Sequence, residues 1–537
     1  MLATVLGLGS YYEASDDTAL AWLFSGVTAA APVSSVPLYF HGYGQALAAL
    51  YAAAPGLAWF GLLLGVLLGA ATAFAFAVLH RLLQPYLQPK GLVLALAGFF
   101  VLAWLEHWLW FSYVRVALLL AGAAVLYAAQ RPASRRALAL GLLGLGAAWL
   151  MRPSLAQLGF GAVLPAALLL AGGWRRAVPL VASGALLLVL AAVGGAMLRT
   201  PAQAHTQQFD GYLARILDFN QLQPSPRNAV DSLGTAAVSQ WMLGDSVMVN
   251  AGLCERAYRF DARHFVMQEV PAKLATRVVL LGQDYFPLWL ALAASAWWVR
   301  PDRRGWFWLV QAGFAGVLLL FAGVLKLPPR LALPLLDFWL FTNLALALPV
   351  PRATPYGDRP GAAPLPLAPA GPRRAALAVL SIAALLYGAK IWHRQRVLSA
   401  ERHRHEQALA AIDSAGMGRV RILAGTNDLL KSLSPFRLYT PNAGQVLMLT
   451  GWPSHDASQR RLRHKLSGGT DQTECLRRLA AAAPGRSSAQ APLWVLSGEG
   501  ASWLQRRFQL AGLSVQLTPG AYLPADSTLR FYQVLAR

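Results

Sequence analysis

Two cysteines, Cys254 and Cys475, in a chain of 537 residues exclude a disulfide framework and a cysteine-ligated zinc ribbon. Charge is also scarce. Asp, Glu, Lys and Arg make up 13% of the chain, about half the roughly 25% usual for a soluble domain. That scarcity excludes an ordinary water-soluble enzyme, and a hydrophobic content of 56% excludes a disordered chain. Acidic residues are the rarer sign, 24 against 46 Lys plus Arg, for a formal net charge of +22. No H-E-x-x-H, P-loop, paired-cysteine or G-x-S-x-G motif occurs, and no repeat of about 20–50 residues, so metalloprotease, nucleotide-hydrolase, redox and serine-hydrolase chemistry find no footing.

What is present is apolar length, with a mean hydropathy of +0.45. A helix needs about 20 apolar residues to cross the hydrocarbon core. Eleven runs approach that, near 1–10, 57–79, 91–105, 110–129, 137–151, 155–173, 177–198, 284–299, 305–325, 331–350 and 375–392. The expected fold is therefore an all-α polytopic membrane bundle of about eleven transmembrane helices. The first run supplies roughly 15 Å of helix, half a bilayer, and no basic segment precedes it as a signal peptide requires. With 18 Trp and 16 Tyr there is material for aromatic belts at both interfaces.

Loop charge sets the orientation. If the 11–56 loop is external, the connections 80–90, 130–136, 174–176, 300–304 and 351–374 are cytoplasmic. They hold fourteen Lys and Arg against Asp302 and Asp358. The opposite short connections hold only Glu106, Arg152, Lys326 and Arg330. The positive-inside rule then places the 11–56 loop, the 199–283 loop and everything after about 393 outside a bacterial cytoplasmic membrane. The Pro- and Ala-rich 351–374 segment reads as an irregular linker. Residues 1–395 form the membrane domain and 396–418 a charged stalk helix. In 419–537, runs at 420–425, 446–452, 493–498, 513–517 and 529–536 alternate with amphipathic helices, the pattern of a small extracytoplasmic α/β domain.

The stretch GSYYEASDDTALAWLFSGV puts Glu13, Asp16 and Asp17 at the exit of the first apolar run. Carboxylates near hydrocarbon are costly, about 2.5–3.5 kcal/mol per Asp at mid-membrane. Helix capping is the structural reading, with Ser15 or Asp16 opening a helix whose apolar face is Leu20, Leu23, Phe24 and Val27. General-base chemistry is the functional one, and the two are compatible. Arg152, Lys326 and Arg330 share the external face. Arg offers bidentate bonds to phosphate and Lys a point charge, whereas simple snorkelling to headgroups is the alternative. In the 199–283 loop, Phe209, Tyr212, Leu213, Ile216 and Leu217 have the spacing of an amphipathic helix lying on the membrane. Tyr212 and Arg215 on that helix, with Glu13 and His41, are candidate acceptor or loop contacts. Two adjacent carboxylates can bind a hard divalent cation but are too few to define a metal site, so they admit a divalent metal without establishing a cofactor. Glu106 and Arg115 have the spacing of a buried pair, and Asp337 faces either the bundle or a groove.

The order of a span, an acidic pair, two interfacial helices and a span opening Pro-Gly-Leu-Ala-Trp-Phe-Gly resembles the bacterial GT-C membrane glycosyltransferases. Relatives of that plan include the protein O-mannosyltransferases and the lipid A aminoarabinose transferase. The resemblance covers 1–395 as architecture and 13–62 as motif, more faintly WLMRPS at 149–154 and KLPPRLALPL at 326–335. It implies a first-loop Asp as general base toward an acceptor hydroxyl, carried here onto Asp16 and Asp17 with Asp17 favoured. It also implies a sugar delivered on a polyprenyl phosphate, with inversion. This chain departs from the family in its stunted first helix. The expected partners are thus a polyprenyl-phosphate-linked sugar, membrane lipids and a glycan, lipid or protein acceptor, with no nucleic acid. A polysaccharide polymerase or ligase, a lipid-linked sugar flippase and an envelope scaffold are the competing readings. Reporter fusions at Gly361 and Gly500 are expected to report cytoplasm and exterior respectively; the reverse pattern inverts the topology.

Overall fold

The structure is a computed structural model that describes residues 2–36, 39–296, 299, 303–348, 370–439, 445–481 and 491–536. The chain forms two compact units that do not follow its linear order. One, the membrane unit, is Met1–Gly9, Leu63–Arg199 and Gln268–Arg396; the other is Ser10–Leu62, Thr200–Met267 and Val397–Arg537. The two long loops thus join the C-terminal segment in one body, where a linear partition would have left them with residues 1–395.

Among the described residues six helices are long and apolar enough to cross a membrane: Trp59–Leu83, Pro89–Leu109, Pro153–Leu170, Trp174–Met197, Arg304–Gly323 and Pro329–Ala347. Ala262–Asp284 and Phe286–Ser295, which meet at 84°, make a seventh if taken as one broken span. The other expected runs are shorter helices or parts of a longer one. Run 1–10 is the seven-residue helix Leu2–Leu8, and runs 110–129 and 137–151 are the 17-residue helices Tyr113–Ala129 and Arg135–Met151. Run 284–299 yields only Phe286–Ser295, because Pro287 and the break at Tyr285 start a new helix. The last run and the stalk are one 46-residue helix, Ala370–Ala415, whose charged half needs no break since Arg, Glu, Gln and Ala are all good helix formers. Residues 351–369 of the expected linker lie outside the described residues.

Tyr113–Ala129 is buried along almost its whole length and packs against Arg135–Met151, Pro153–Leu170 and Pro329–Ala347. Lipid gives no hydrophobic drive between helices, so close approach depends on small residues. A Cβ on Gly141 or Gly144 would lie 2.6 and 2.5 Å from the Cβ atoms of Ala128 and Ala124. One on Gly159 would lie 2.8 Å from the Leu118 carbonyl oxygen. The apolar side chains of Leu186, Val189, Leu190 and Val193 on Trp174–Met197 are by contrast exposed, as lipid-facing positions should be.

The second unit holds a short antiparallel pair, β1 (Leu222–Pro224) and β2 (Tyr258–Phe260), and a five-stranded sheet. The sheet strands are β3 (Arg421–Ala424), β4 (Val446–Met448), β5 (Leu493–Ser497), β6 (Val515–Leu523) and β7 (Asp526–Ala536), in the order β4-β3-β5-β7-β6. All five were expected from the alternation of apolar runs. β3 runs parallel to β4 and β5, with Ile422 opposite Leu447 and Trp494; β7 is antiparallel to β5 and β6. Helices Ala457–Ser467, Gln472–Ala481 and Gly498–Leu510 supply the crossovers. Residues 428–433, expected as helix, form turns instead. Ser497 caps the last crossover by accepting from the Gly500 amide at 3.2 Å, so Gly498 and Gly500 serve a strand-to-helix turn.

The amphipathic helix of the second loop is present as Pro201–Leu213, started by a Thr200–Gln203 capping box. Its apolar residues Phe209 and Leu213, with Ile216, are buried in one core with Leu447, Trp494, Trp503 and Phe508, so that face covers the sheet domain and not a lipid surface. Trp503 Nε1 donates to the Leu233 carbonyl at 2.9 Å, and Arg507 pairs with the buried Asp245 at 2.6 Å. Cys254 and Cys475 are both buried free thiols, and burial raises the Cys254 thiol from 9.0 to about 11.

Gly122 is the tightest of these packing points, since an added Cβ would meet the Phe338 ring at 2.2 Å. Gly122→Leu is expected to destabilise the membrane unit by about 1–3 kcal/mol, as overpacking does. Thermal unfolding of the detergent-solubilised protein measures this, and an unchanged Tm contradicts the packing assigned to Tyr113–Ala129.

Candidate functional site

Asp16 and Asp17 lie in the first turn of the Ser15–Ser25 helix. Ala14 holds the N-cap with extended backbone and makes no side-chain cap bond. Acids at this end still gain from the helix dipole. Gly26, at φ 83°, ends the helix and turns the chain, with no room for a side chain because Pro32 nitrogen would lie 2.9 Å from a Cβ. The helix is enclosed on nearly every side. Asp17 is fully buried, whereas Asp16 and Glu13 are half-exposed.

Long-range bonds hold this helix to the C-terminal part of the second unit. Tyr12 pairs its backbone with Leu433 and Ser432, at 2.8 and 3.0 Å, and Thr18 Oγ1 donates to the Leu430 carbonyl at 2.8 Å. The Val446 amide donates to the Val27 carbonyl at 3.1 Å, and Gln459 Nε2 to the Thr28 carbonyl at 2.5 Å. Phe24, Phe40 and Phe60 close the other side with ring centroids 5.3–5.8 Å apart. Burial, and then the Asp17 carboxylate, hold the Tyr12 phenol well above its ordinary pKa, so Tyr12 stays protonated beside the acidic pair.

One residue from Asp17, Thr18 lines a small cleft with Tyr12, Trp22, Tyr51 and Tyr439. Trp22, Arg437 and Tyr439 also line a neighbouring cavity of about 130 Å³ with Glu406, Asp413 and Arg421. Glu406 accepts from Tyr439 Oη at 2.7 Å and pairs with Arg437 at 3.1 Å; Asp413 lies 3.4 Å from Arg421. Burial raises the Asp413 carboxyl, against the opposing pull of Arg421. The Trp22 indole N–H is buried with no hydrogen-bond partner, a donor available to a guest. An aromatic face with paired charges and amide-like donors suits a polyhydroxylated ligand. Glu406, Asp413, Arg421, Arg437 and Tyr439 lie far along the chain from the 13–62 motif, so nothing in its residues points to them.

Of the other expected site residues, His41 is half-buried just before the Tyr43–Ala53 helix. Tyr212 donates to Glu255 at 3.0 Å, and that bond raises its phenol; Arg215 is exposed on the π-helical turn Ala214–Asp218. These three, with Glu13 and the acidic pair, belong to the second unit, and Arg152, Lys326 and Arg330 to the membrane unit. Arg152 sits between two helices, donates to Tyr113 Oη at 2.9 Å and stacks on that ring at 5.5 Å. Lys326 and Arg330 are half-buried at the start of Pro329–Ala347, which packs against Pro153–Leu170, the helix that Arg152 begins. A cation at a helix N-terminus is disfavoured by the dipole, whereas an anion there is favoured, so Arg330 and the helix end act in the same sense on a phosphate. Among the described residues no group of three or more His, Cys, Asp and Glu is arranged to hold a metal.

Inside the membrane unit a second polar constellation is larger than the sequence suggested. A π-helical turn, Phe100–Trp104, precedes Glu106 and His107. His107 Nε2 lies 2.7 Å from Asp337 Oδ2, and Arg115 donates to His107 Nδ1 at 3.2 Å. Arginine has no acceptor, so Nδ1 must be unprotonated and Nε2 carries the hydrogen given to Asp337. Glu106 accepts from Tyr387 at 2.9 Å and Tyr285 at 3.4 Å and pairs with Arg394 at 2.9 Å. Arg394 and Lys390 both reach Asp284 at 3.1 Å. Three carboxylates thus face three cations.

Compared with known proteins, the chain matches no family model, no curated protein and no solved structure.

Removing one member of a buried ion pair leaves the other uncompensated. Glu106→Gln and Arg394→Gln are each expected to cost about 3–5 kcal/mol. The double variant should cost less than their sum, by roughly 0.5–3 kcal/mol of coupling. A double-mutant cycle in thermal unfolding measures the coupling, and strict additivity removes the pair from the network.

Proposed function

We propose that the chain is an inverting, multi-pass membrane glycosyltransferase of GT-C type in a bacterial cytoplasmic membrane. It moves a monosaccharide from a polyprenyl-phosphate donor to an extracytoplasmic glycan, lipid or protein acceptor. The observation that carries this reading is the acidic pair: two carboxylates in the first turn of a helix fixed from both sides, whose Trp22 lines an aromatic, charge-lined cavity. Asp17, the member favoured from the resemblance, is enclosed beside Tyr12, so the half-exposed Asp16 is the one open to an acceptor hydroxyl. As the acceptor oxygen bonds to the anomeric carbon, its proton passes to Asp16 and the bond to the donor phosphate breaks on the opposite face. Charge growing on the departing polyprenyl phosphate calls for cations, the role given to Arg152, Lys326 and Arg330. Trp22, Arg437 and Tyr439 offer the acceptor sugar a ring face and hydrogen-bond partners.

A lipid-linked sugar flippase is the second reading, favoured by the charged residues buried inside the helix bundle. The two part company at the acidic pair. In membranes supplied with radiolabelled polyprenyl-phosphate hexose, Asp16→Asn is expected to lower transfer by about 10²–10⁴-fold at unchanged expression, the usual effect of losing a general base. Asp17→Asn should lower it less if its role is support. Full transfer by both variants removes the base assignment, and lipid-linked sugar that crosses the membrane without being transferred makes the chain a flippase.

A further inference from the structure

We propose that a groove in the membrane unit binds an anionic glycerophospholipid, with its phosphate among Arg81, Arg175, Arg176 and Arg303. The groove lies among the helices Pro153–Leu170, Trp174–Met197, Arg304–Gly323 and Pro329–Ala347, and its volume is about 2090 Å³. Its wall is apolar, with Leu158, Pro165, Leu169, Leu309, Val310 and Phe314. A hollow of this size among membrane-crossing helices has to be filled, and acyl chains match its wall. The four arginines open onto it from helix ends, and the described residues that line it include no Asp or Glu.

Loop charge bias explains why these arginines lie at one end of the spans, but not why four of them open onto one apolar groove. Helix dipoles do not explain them all either. Arg303 Nη1 donates to the Leu346 carbonyl, 3.3 Å away at the end of Pro329–Ala347, where a cation is favoured. Arg175 and Arg176 stand in the first turn of Trp174–Met197, the end that disfavours a cation and attracts an anion. Trp174 and Trp306, both exposed, flank the groove, the placement of interfacial aromatics beside headgroups. Basic pockets between membrane helices on the positively biased side are a recurring site for anionic headgroups. Room for the tails is visible too. Gly161 and Gly313 line the groove, and a Cβ on either would meet nothing within 4 Å.

That open space allows a test that keeps the fold. The full chain, wild type or variant, is reconstituted in nanodiscs of mixed phosphatidylglycerol and phosphatidylcholine, released in mild detergent, and its retained lipid is measured by native mass spectrometry. Wild type is expected to hold phosphatidylglycerol about tenfold above its share in the disc, on the scale that several arginines near a headgroup provide. Arg81→Gln/Arg175→Gln/Arg176→Gln should bring retention to the bulk ratio. Gly161→Leu/Gly313→Leu should do the same with all four arginines in place and an unchanged Tm. Equal retention of phosphatidylcholine, or phosphatidylglycerol retained in full by both variants, overturns the proposal. So does preferential retention of an added polyprenyl phosphate, or stabilisation of the protein by inorganic phosphate to the same degree as by phosphatidylglycerol.

Discussion

Glu106 sets the terms on which the membrane helices assemble. A lone carboxylate in that interior would be prohibitive, and its neutralisation draws in Tyr285 from one stretch of chain and Tyr387 and Arg394 from the helix Ala370–Ala415. Arg394 in turn carries Asp284, and Lys390 completes that pair. His107, the next residue, ties the same helix to Asp337 and Arg115. Such a network contributes little net stability compared with apolar packing of the same volume, but its geometric demands are strict. Each helix that supplies a charge has one register in which the charge is met, and shifting it strands two partners at once. Small residues around Tyr113–Ala129 then allow the close packing that this register requires.

The second unit is organised differently, by a common apolar core. Its helix Gly498–Leu510 would leave Trp503 without its partner if residues 419–537 folded alone, and the loop segments cover that side. Phe209, Leu213 and Leu233 enter the same core as Trp494 and Trp503. The acidic helix is held at the sheet margin by main-chain bonds to residues 430–433 and 446. Carboxylates meant to act on a substrate need that kind of support, since a base on a mobile loop loses the orientation from which its rate advantage comes.

The parts of this fold that could be read from the sequence are those fixed by local periodicity. Five strands and three crossover helices of the C-terminal region follow from alternation and amphipathic spacing, and six long apolar helices follow from length. The count of spans is harder to read, because apolar residues do not say where a helix stops. Tyr113–Ala129 is short because it is surrounded by protein, and Phe286–Ser295 because a bend precedes it. The amphipathic face of Pro201–Leu213 looks the same in sequence whether lipid or a protein core receives it. At the candidate site the acidic pair and the motif residues could be read, as could Glu106, His107, Arg115 and Asp337 as intramembrane charges. Glu406, Asp413 and Arg437 could not, because a charged stalk and a polar loop give no sign of what they face. Arg394 and Lys390 were hidden for the same reason: at the end of an apolar run, basic residues read as interface anchors.

Thr18 bonds to Leu430, 412 positions along the chain. At a synthesis rate of about 5–20 residues per second, the acidic helix must wait on the order of 20–80 s for its partner to exist. During that interval Thr18 and the backbone of Tyr12 lack the partners that later fix the helix. The helix made among the first is thus held by segments made more than 400 residues later, and a chain cut before residue 430 lacks every one of those partners.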